Sequence, residues 1–303
     1  MVTIKGKQYM SDFEAKKAIL EVGKRMYQKG FVAANDGNIS CKVGPDTLWT
    51  TCTGVSKGFM TLDMLVKMNT SGKILMGSRK PSSEVKMHLR VYEENPEVMA
   101  VTHAHPPIAT SFAIAGISLD KAVLPEAVVQ LGTVPVAKYA TPSTQEVPDS
   151  IAPFCKEYNG VLLANHGALS WGKDIMEAFY RLESMEYYAT ILMYTGNIIG
   201  KQNELSCKQV SDLLTIRKQL GILGGGTPNC TMKASNQENV ITTEKKSELS
   251  LKGVTPLVRP TKEDVSCGCE GILEKQGKGE AFNKSKAEII EEVVRRVAQQ
   301  LNA

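Results

Sequence analysis

Two histidine-bearing segments constrain this chain most: Thr102-His103-Ala104-His105-Pro106 and Ala164-Asn165-His166-Gly167, which hold three of its four histidines. Each directly follows an apolar run, 98–102 and 161–164, of the kind that reads as a buried strand. Side chains two positions apart on a strand face the same way, about 6.5–7 Å apart, so His103 and His105 can converge on one ion. A fold that sets the two strands side by side then adds His166. Three neutral imidazoles with an open position form the usual catalytic arrangement for zinc, a Lewis acid toward whatever fills the gap.

The surrounding sequence reads as alternating helices and strands. Ser11 and Glu14 form a capping box ahead of a helix that carries Ile19, Val22, Gly23 and Met26 on one face and stops at Gly30. Short β-like runs alternate with turns through Asn35-Asp36-Gly37-Asn38, Val43-Gly44-Pro45-Asp46 and Thr53-Gly54-Val55-Ser56-Lys57-Gly58. Pro81-Ser82-Ser83-Glu84 opens a helix with Met87, Val91 and Tyr92 on its apolar side, ended by Asn95-Pro96. Beyond His166, Trp171-Gly172 leads into a long helix striped by Ile175, Ala178, Phe179, Leu182, Glu186, Ala189 and Met193, and residues 211–220 give another.

Free amides, small hydroxyls and a helix N-terminus suit a phosphate. Asn38, Thr53, Gly54, Ser82 and Ser83 are the candidates for such a cradle, although each also reads as an ordinary turn or cap residue. Glu84 is favoured in a first helical turn whatever its function; between a phosphate pocket and a metal it would be a general base. His88, four residues on, reads as structural. Lys57 as a Schiff-base lysine stays open, though a metal site makes that chemistry unnecessary.

The 303 residues suit one core of about 200 residues plus extensions. Hydrophobic content of 42% and the absence of any apolar run near the roughly 20 residues of a membrane span predict a soluble protein. The N-terminus has no apolar segment resembling a secretory signal. Seven cysteines at irregular spacing predict no disulfide framework and a reducing, cytoplasmic setting. A net charge of +4 with scattered lysines gives no support for nucleic-acid binding, and no membrane partner is expected.

Three divisions are predicted: residues 1–220 as the enzymatic domain, 221–280 as a flexible linker rich in polar residues, and 281–303 as an amphipathic helix. That helix opens with a second capping box, Ser285 and Glu288, and carries Ile290, Val293, Val294, Val297, Ala298 and Leu301 at helical spacing. Its stripe needs a partner, because an isolated helix of this size is marginal in water. Cys267-Gly268-Cys269 in the linker cannot complete a tetrahedral zinc site alone.

Six motifs in one order carry a family resemblance. Ala-Asn-Asp-Gly-Asn-Ile-Ser at 34–40, Thr-Gly-Val-Ser-Lys-Gly at 53–58, Pro-Ser-Ser-Glu at 81–84, Thr-His-Ala-His-Pro at 102–106, Tyr-Ala-Thr-Pro at 139–142 and Ala-Asn-His-Gly at 164–167 resemble the class II aldolase/adducin-head family, over about residues 8–220. The resemblance implies a three-layer α/β/α fold with a mostly antiparallel central sheet, in a homotetramer with active sites at subunit interfaces. It implies that His103, His105 and His166 bind one Zn2+ per subunit and that Glu84 is the catalytic acid/base, able also to ligate the resting ion. Asn38, Thr53, Gly54, Ser82 and Ser83 would hold the substrate phosphate, with Asn35 nearby.

The activity so implied is cleavage of a ketose 1-phosphate, L-fuculose 1-phosphate in fucose degradation, to dihydroxyacetone phosphate and L-lactaldehyde. Ribulose-phosphate 4-epimerase and methylthioribulose-phosphate dehydratase are the alternatives on the same scaffold. Adducin-type heads, an interaction module, lack the metal ligands that this chain retains. The aldolases use a tyrosine from the adjacent subunit as proton donor, in the segment matching Leu124-Pro125-Glu126-Ala127; Glu126 either replaces it or is only an interface residue. Residues 210–220 also lack the family's C-terminal tyrosine. The terminal helix resembles peptides that route enzymes into bacterial microcompartments by docking on a shell or cargo protein; its other reading is packing on its own tetramer.

Overall fold

The computed structural model describes residues 1–4 and 6–230. Readings that fall on residues 231–303, including the terminal helix and Cys267-Gly268-Cys269, lie outside the described residues.

In chain order the elements are β1 (Val2–Ile4), β2 (Lys7–Tyr9), α1 (Asp12–Gln28), β3 (Asn38–Lys42), β4 (Thr47–Thr50), β5 (Val66–Asn69), β6 (Ile74–Met76), α2 (Val85–Glu94), β7 (Ala100–Ala104), α3 (Pro107–Ala115), β8 (Val136–Ala137), α4 (Glu146–Ile151), β9 (Gly160–Leu163), β10 (Gly167–Gly172), α5 (Ile175–Met193) and α6 (Cys207–Gln219). β1 and β2 pair as a small hairpin. The other strands form one sheet in the order β6-β5-β4-β3-β7-β10-β9-β8, antiparallel throughout except for the β8–β9 edge. The sheet is mostly antiparallel, as expected.

Helices cover both faces because the strands alternate. On β7, Ala100 and Ala104 join a core with Ile19 and Met26 of α1 and Phe179, Leu182 and Tyr188 of α5. Val101 joins the opposite core, with Met87, Val91 and Tyr92 of α2, Leu163 and Trp171. Burying each large apolar side chain contributes about 1.5–3 kcal/mol, and the period of two places His103 on the α2 side, next to Val101.

The helix signals act as read. Ser11 Oγ accepts the amide of Glu14 while the Glu14 carboxylate accepts the amide of Ser11, and α1 ends before Gly30 at φ 69°. α2 ends at Asn95.

Three sequence readings need correction at the C-terminal end of the domain. α6 begins at Cys207, capped by Ser206 and Gln209, earlier than the apolar spacing indicated. Residues 221–230, read as the start of a linker, instead form a strap on the domain. Gly225 accepts the amide of Thr133 at 2.7 Å and donates to Glu157 at 2.8 Å, and Asn229 donates to Asp120 at 2.7 Å. Arg217 of α6, buried, donates to the carbonyls of Val128, Val129, Gly224 and Gly226. Cys207 and Cys230 are disulfide-bonded, contrary to the expectation of none; irregular spacing says nothing about a pair that the strap brings together. Cys41, Cys52 and Cys155 are buried and free. Among the described residues no helix is long and apolar enough to cross a membrane.

Candidate metal centre and catalytic carboxylate

Three neighbouring strands assemble the site. β7 pairs with β10, setting His103 opposite Leu169, and with β3, setting Asn38 opposite His103. The β9–β10 turn delivers His166, and its shape explains the flanking residues. Asn165 sits at φ 56°, a left-handed conformation that Asn tolerates. A Cβ on Gly167 would lie 2.6 Å from both the carbonyl oxygen of Ala104 and His105 Cδ2, so only glycine lets the turn press against the histidines.

The three rings meet with centroids 4.8–5.0 Å apart, and their ligand-capable nitrogens lie within 4.8 Å of one another. His103 Nδ1 donates to the carbonyl of Ala168 at 2.9 Å, which leaves a lone pair on Nε2. His105 Nδ1 lies 3.4 Å from the Asp36 carboxylate, which likewise leaves its Nε2 unprotonated. The two Nε2 atoms stand 3.2 Å apart. Two facing lone pairs at that distance repel unless a cation lies between them, and nitrogens on a tetrahedral zinc are about 3.3 Å apart given Zn–N bonds of roughly 2.0–2.1 Å. The donor set therefore fits a metal ion. Burial drives the His103 pKa well below 6.5, with Glu84 opposing, and lowers that of His105, a shift toward the neutral form that metal ligation requires.

Glu84 completes the cluster. It precedes α2 with φ −91° and ψ 0°, and its side chain makes no capping bond. Instead Oε1 lies 3.0 Å from His166 Nε2 and Oε2 lies 3.6 Å from His103 Nε2. Asn38 donates Nδ2 to Oε2 at 2.7 Å, while its Oδ1 is buried without a partner among the described residues. Burial acts to raise the Glu84 pKa, but the imidazoles of His103, His166 and His105 and the bond to His166 overcome it and hold the carboxyl well below the usual range.

The phosphate candidates fall on two loops zipped together. Thr53 donates its amide to Lys80 and Ser82 donates to Thr51, both at 3.1 Å, around a bridge between Cys52 and Pro81. Thr53, Gly54 and Ser83 are exposed; Ser82 is buried, its Oγ accepting the Glu84 amide at 3.3 Å. Asn38, committed to Glu84, stands between these loops and the histidines. Glu126 is exposed just before the π-helical turn Ala127–Leu131, and no hydrogen bond or ion pair joins it to the cluster. Lys57 is 2% exposed, held between the Asn35 and Val55 carbonyls.

Several supporting residues escaped the sequence reading. Asp36 was read as a turn residue; a carboxylate two positions before Asn38 was the available signal. Glu186 of α5 accepts the amides of Ile108 at 3.0 Å and Ala109 at 2.7 Å, capping α3 directly after His105-Pro106. His88, read from the sequence as structural, is fully buried with Nδ1 2.7 Å from Ser40 Oγ, a partner the sequence did not indicate, itself 2.7 Å from Tyr92 Oη. Ser40 Oγ thus bridges the Tyr92 hydroxyl and His88 Nδ1, and His88 Nε2 is buried with no hydrogen-bond partner among the described residues.

The sequence profile described as Class II Aldolase and Adducin N-terminal domain matches residues 17–193, more than half of the chain. The chain belongs to this class II aldolase family. With its imidazole triad and carboxylate intact, it is an enzyme of the family. A 3-oxo-tetronate 4-phosphate decarboxylase of Pectobacterium atrosepticum is 30% identical over 62% of this chain and 87% of that protein. An L-fuculose phosphate aldolase of Methanococcus maripaludis is 30% identical over 59% of this chain and 96% of that protein. Among solved structures, an L-fuculose 1-phosphate aldolase superposes with TM-score 0.64 at 29% identity, covering 69% of this chain and 98% of the other. One from Thermus thermophilus gives 0.56 at 28% identity, covering 63% and 98%.

Proposed function

We propose that this class II aldolase is a zinc-dependent lyase that breaks a carbon–carbon bond beside the carbonyl of a phosphorylated hydroxyketone, with L-fuculose 1-phosphate as substrate and dihydroxyacetone phosphate and L-lactaldehyde as products. The observation that carries the reading is Glu84, whose carboxylate lies against the His103 and His166 imidazoles rather than capping its helix. His103, His105 and His166, with Glu84 in the resting state, would hold the zinc, which when bound supplies a Lewis acid for the negative charge that develops on the substrate carbonyl oxygen.

The chain's own residues handle the proton and the phosphate. As the C3–C4 bond breaks, its electron pair stays on C3 and the C4 hydroxyl loses its proton. Glu84 takes up that proton and returns one to C3, so the step is proton-neutral. Asn38 orients the carboxylate, while Thr53, Gly54, Ser82 and Ser83 hold the phosphate. Glu126, supplied across a subunit interface of a homotetramer, is the candidate second proton carrier.

Decarboxylation is a second reading, favoured by residues 124–127, which carry no tyrosine, and by the decarboxylase relatives. A 3-oxo acid 4-phosphate loses CO2 with no hydroxyl proton to remove, and one proton then goes to the carbon left behind, again giving dihydroxyacetone phosphate. The two reactions differ in the fragment that departs.

Zinc-loaded protein assayed on L-fuculose 1-phosphate and 3-oxo-tetronate 4-phosphate, with L-ribulose 5-phosphate and methylthioribulose 1-phosphate as controls, separates these readings. Triose phosphate with lactaldehyde supports the aldolase, triose phosphate with CO2 the decarboxylase, and no triose phosphate from either overturns both. Glu84→Gln should lower kcat by about 10²–10⁴-fold.

The same proposal places the enzyme in the cytoplasm, with residues 281–303 docking it to a microcompartment shell or cargo protein. Deleting them should abolish shell co-purification; unchanged co-purification overturns the targeting role.

A further inference from the structure

Lys57 takes no part in the chemistry above, yet it is among the largest fully buried side chains. Its Nζ donates to Val55 O at 2.6 Å and Asn35 O at 2.9 Å. No ion pair engages it among the described residues, and an ammonium has three N–H donors, so one is left without an acceptor. Burial pulls the amine below its usual 10.5, against the opposing charges of Asp36 and Glu84. A buried charge is costly unless an opposite charge compensates it.

Its two acceptors locate where that compensation comes from. Val55 follows Thr53-Gly54, and Asn35 lies three residues before Asn38, so the ammonium ties together two of the turns that carry phosphate candidates. Because a trans peptide is planar, turning the Val55 carbonyl toward Lys57 sends the Ser56 amide to the other side. The amides of Gly54, Val55 and Ser56 donate to no acceptor among the described residues, and Ser56 Oγ is buried without a partner. Consecutive unpaired amides of this kind seat anions. The candidates Asn38, Thr53, Gly54, Ser82 and Ser83 are all neutral, whereas a phosphate monoester carries about −1.5 to −2 charges.

We propose that Lys57 is the positioning residue of the phosphate subsite: from beneath the 54–56 turn it locks the Asn35 and Val55 turns together and supplies the positive potential that the neutral donors lack, without touching the phosphate. This rests on the phosphate-cradle reading and adds its electrostatic source. A Schiff-base role is excluded by the enclosure of the amine between two backbone carbonyls.

The test titrates the full-length, zinc-loaded protein with inorganic phosphate by calorimetry, beside three variants. Lys57→Gln keeps amide donors without charge, Lys57→Met keeps the length without charge, and Lys57→Arg keeps the charge. Both neutral variants should bind phosphate at least about tenfold more weakly, with KM for a phosphorylated substrate rising in step, kcat within about threefold and zinc content unchanged. Lys57→Arg should recover most of the affinity. A folded neutral variant that binds phosphate like the wild type overturns the assignment and leaves the cradle standing, as does a folded, zinc-bound Lys57→Arg that binds none. Wild-type protein that binds no phosphate, or that is indifferent to Ser82→Ala, overturns the cradle itself.

Discussion

Asp36 and His105 stand 3.4 Å apart, Oδ2 to Nδ1, and the carboxylate thereby decides which nitrogen of His105 faces His103. Carboxylate partners behind metal-binding imidazoles typically change metal affinity by about 10–100-fold. Asp36→Ala should accordingly weaken zinc binding by that factor while leaving the fold intact, as read by chelator competition and thermal unfolding. An unchanged zinc Kd would remove Asp36 from the site.

Among the described residues, Asn38 is the one hydrogen-bond donor besides His166 that the Glu84 carboxylate meets through a side chain. Replacing it by alanine frees Oε2 and leaves the carboxylate able to swing, a loss of about 1.5–3 kcal/mol for a hydrogen bond to a charged group. The expected result is a fall of about 10–100-fold in kcat/KM with zinc content unchanged. Steady-state kinetics beside metal analysis decides it: full activity in Asn38→Ala would show that packing alone holds Glu84.

His88 gives the fold a pH dependence of definite sign. Burial lowers its pKa from 6.5 to about 3 in the folded protein, with Glu84 opposing. Between those values the unfolded chain binds a proton that the folded chain refuses, so this contribution to stability is complete above pH 6.5 and falls as the pH drops toward 3. The slope is at most about 1.4 kcal/mol per pH unit. Denaturant melts from pH 7 to 4 should show a shallower dependence in His88→Gln than in the wild type; identical slopes would refute it.

Arg217 holds the 221–230 strap to the π-helical turn through four carbonyls. Arg217→Met leaves those oxygens without their donor. A destabilisation of about 2–4 kcal/mol follows from the lost charged hydrogen bonds. Proteolysis should then cut first within 221–230, and a cleavage pattern identical to wild type would argue that the disulfide alone secures the strap.

Much of the site was legible because its signals are local. His103 and His105 are two apart on a strand, Ser11 and Glu14 three apart at a helix start, and both spacings are fixed by backbone geometry. Glu84 was placed at a helix start correctly, but its choice of the imidazoles over the helix amides came from β3 lying beside α2, which puts Asn38 and His103 within its reach. The buried chain from Tyr92 through Ser40 to His88 was invisible for the same reason, since Ser40 lies 48 and 52 positions from its partners. The strap was misread because glycines at 224, 225 and 226 look like linker; their positive φ angles and close contacts with Asn159, Arg217 and Tyr158 show them packed instead.

The sequence by itself determined most strand and helix periods, the cap of α1, the histidine pattern and the family, because each depends on residues near in the chain or on motifs in order. Only the tertiary structure decided the tautomers of His103 and His105, the orientation of Glu84 by Asn38, the enclosure of Lys57 and the closure by Cys207 and Cys230. Those features arise from side chains that meet across neighbouring strands and loops, and which side chains meet is set by sheet order and register, for which no local period in the chain is a record.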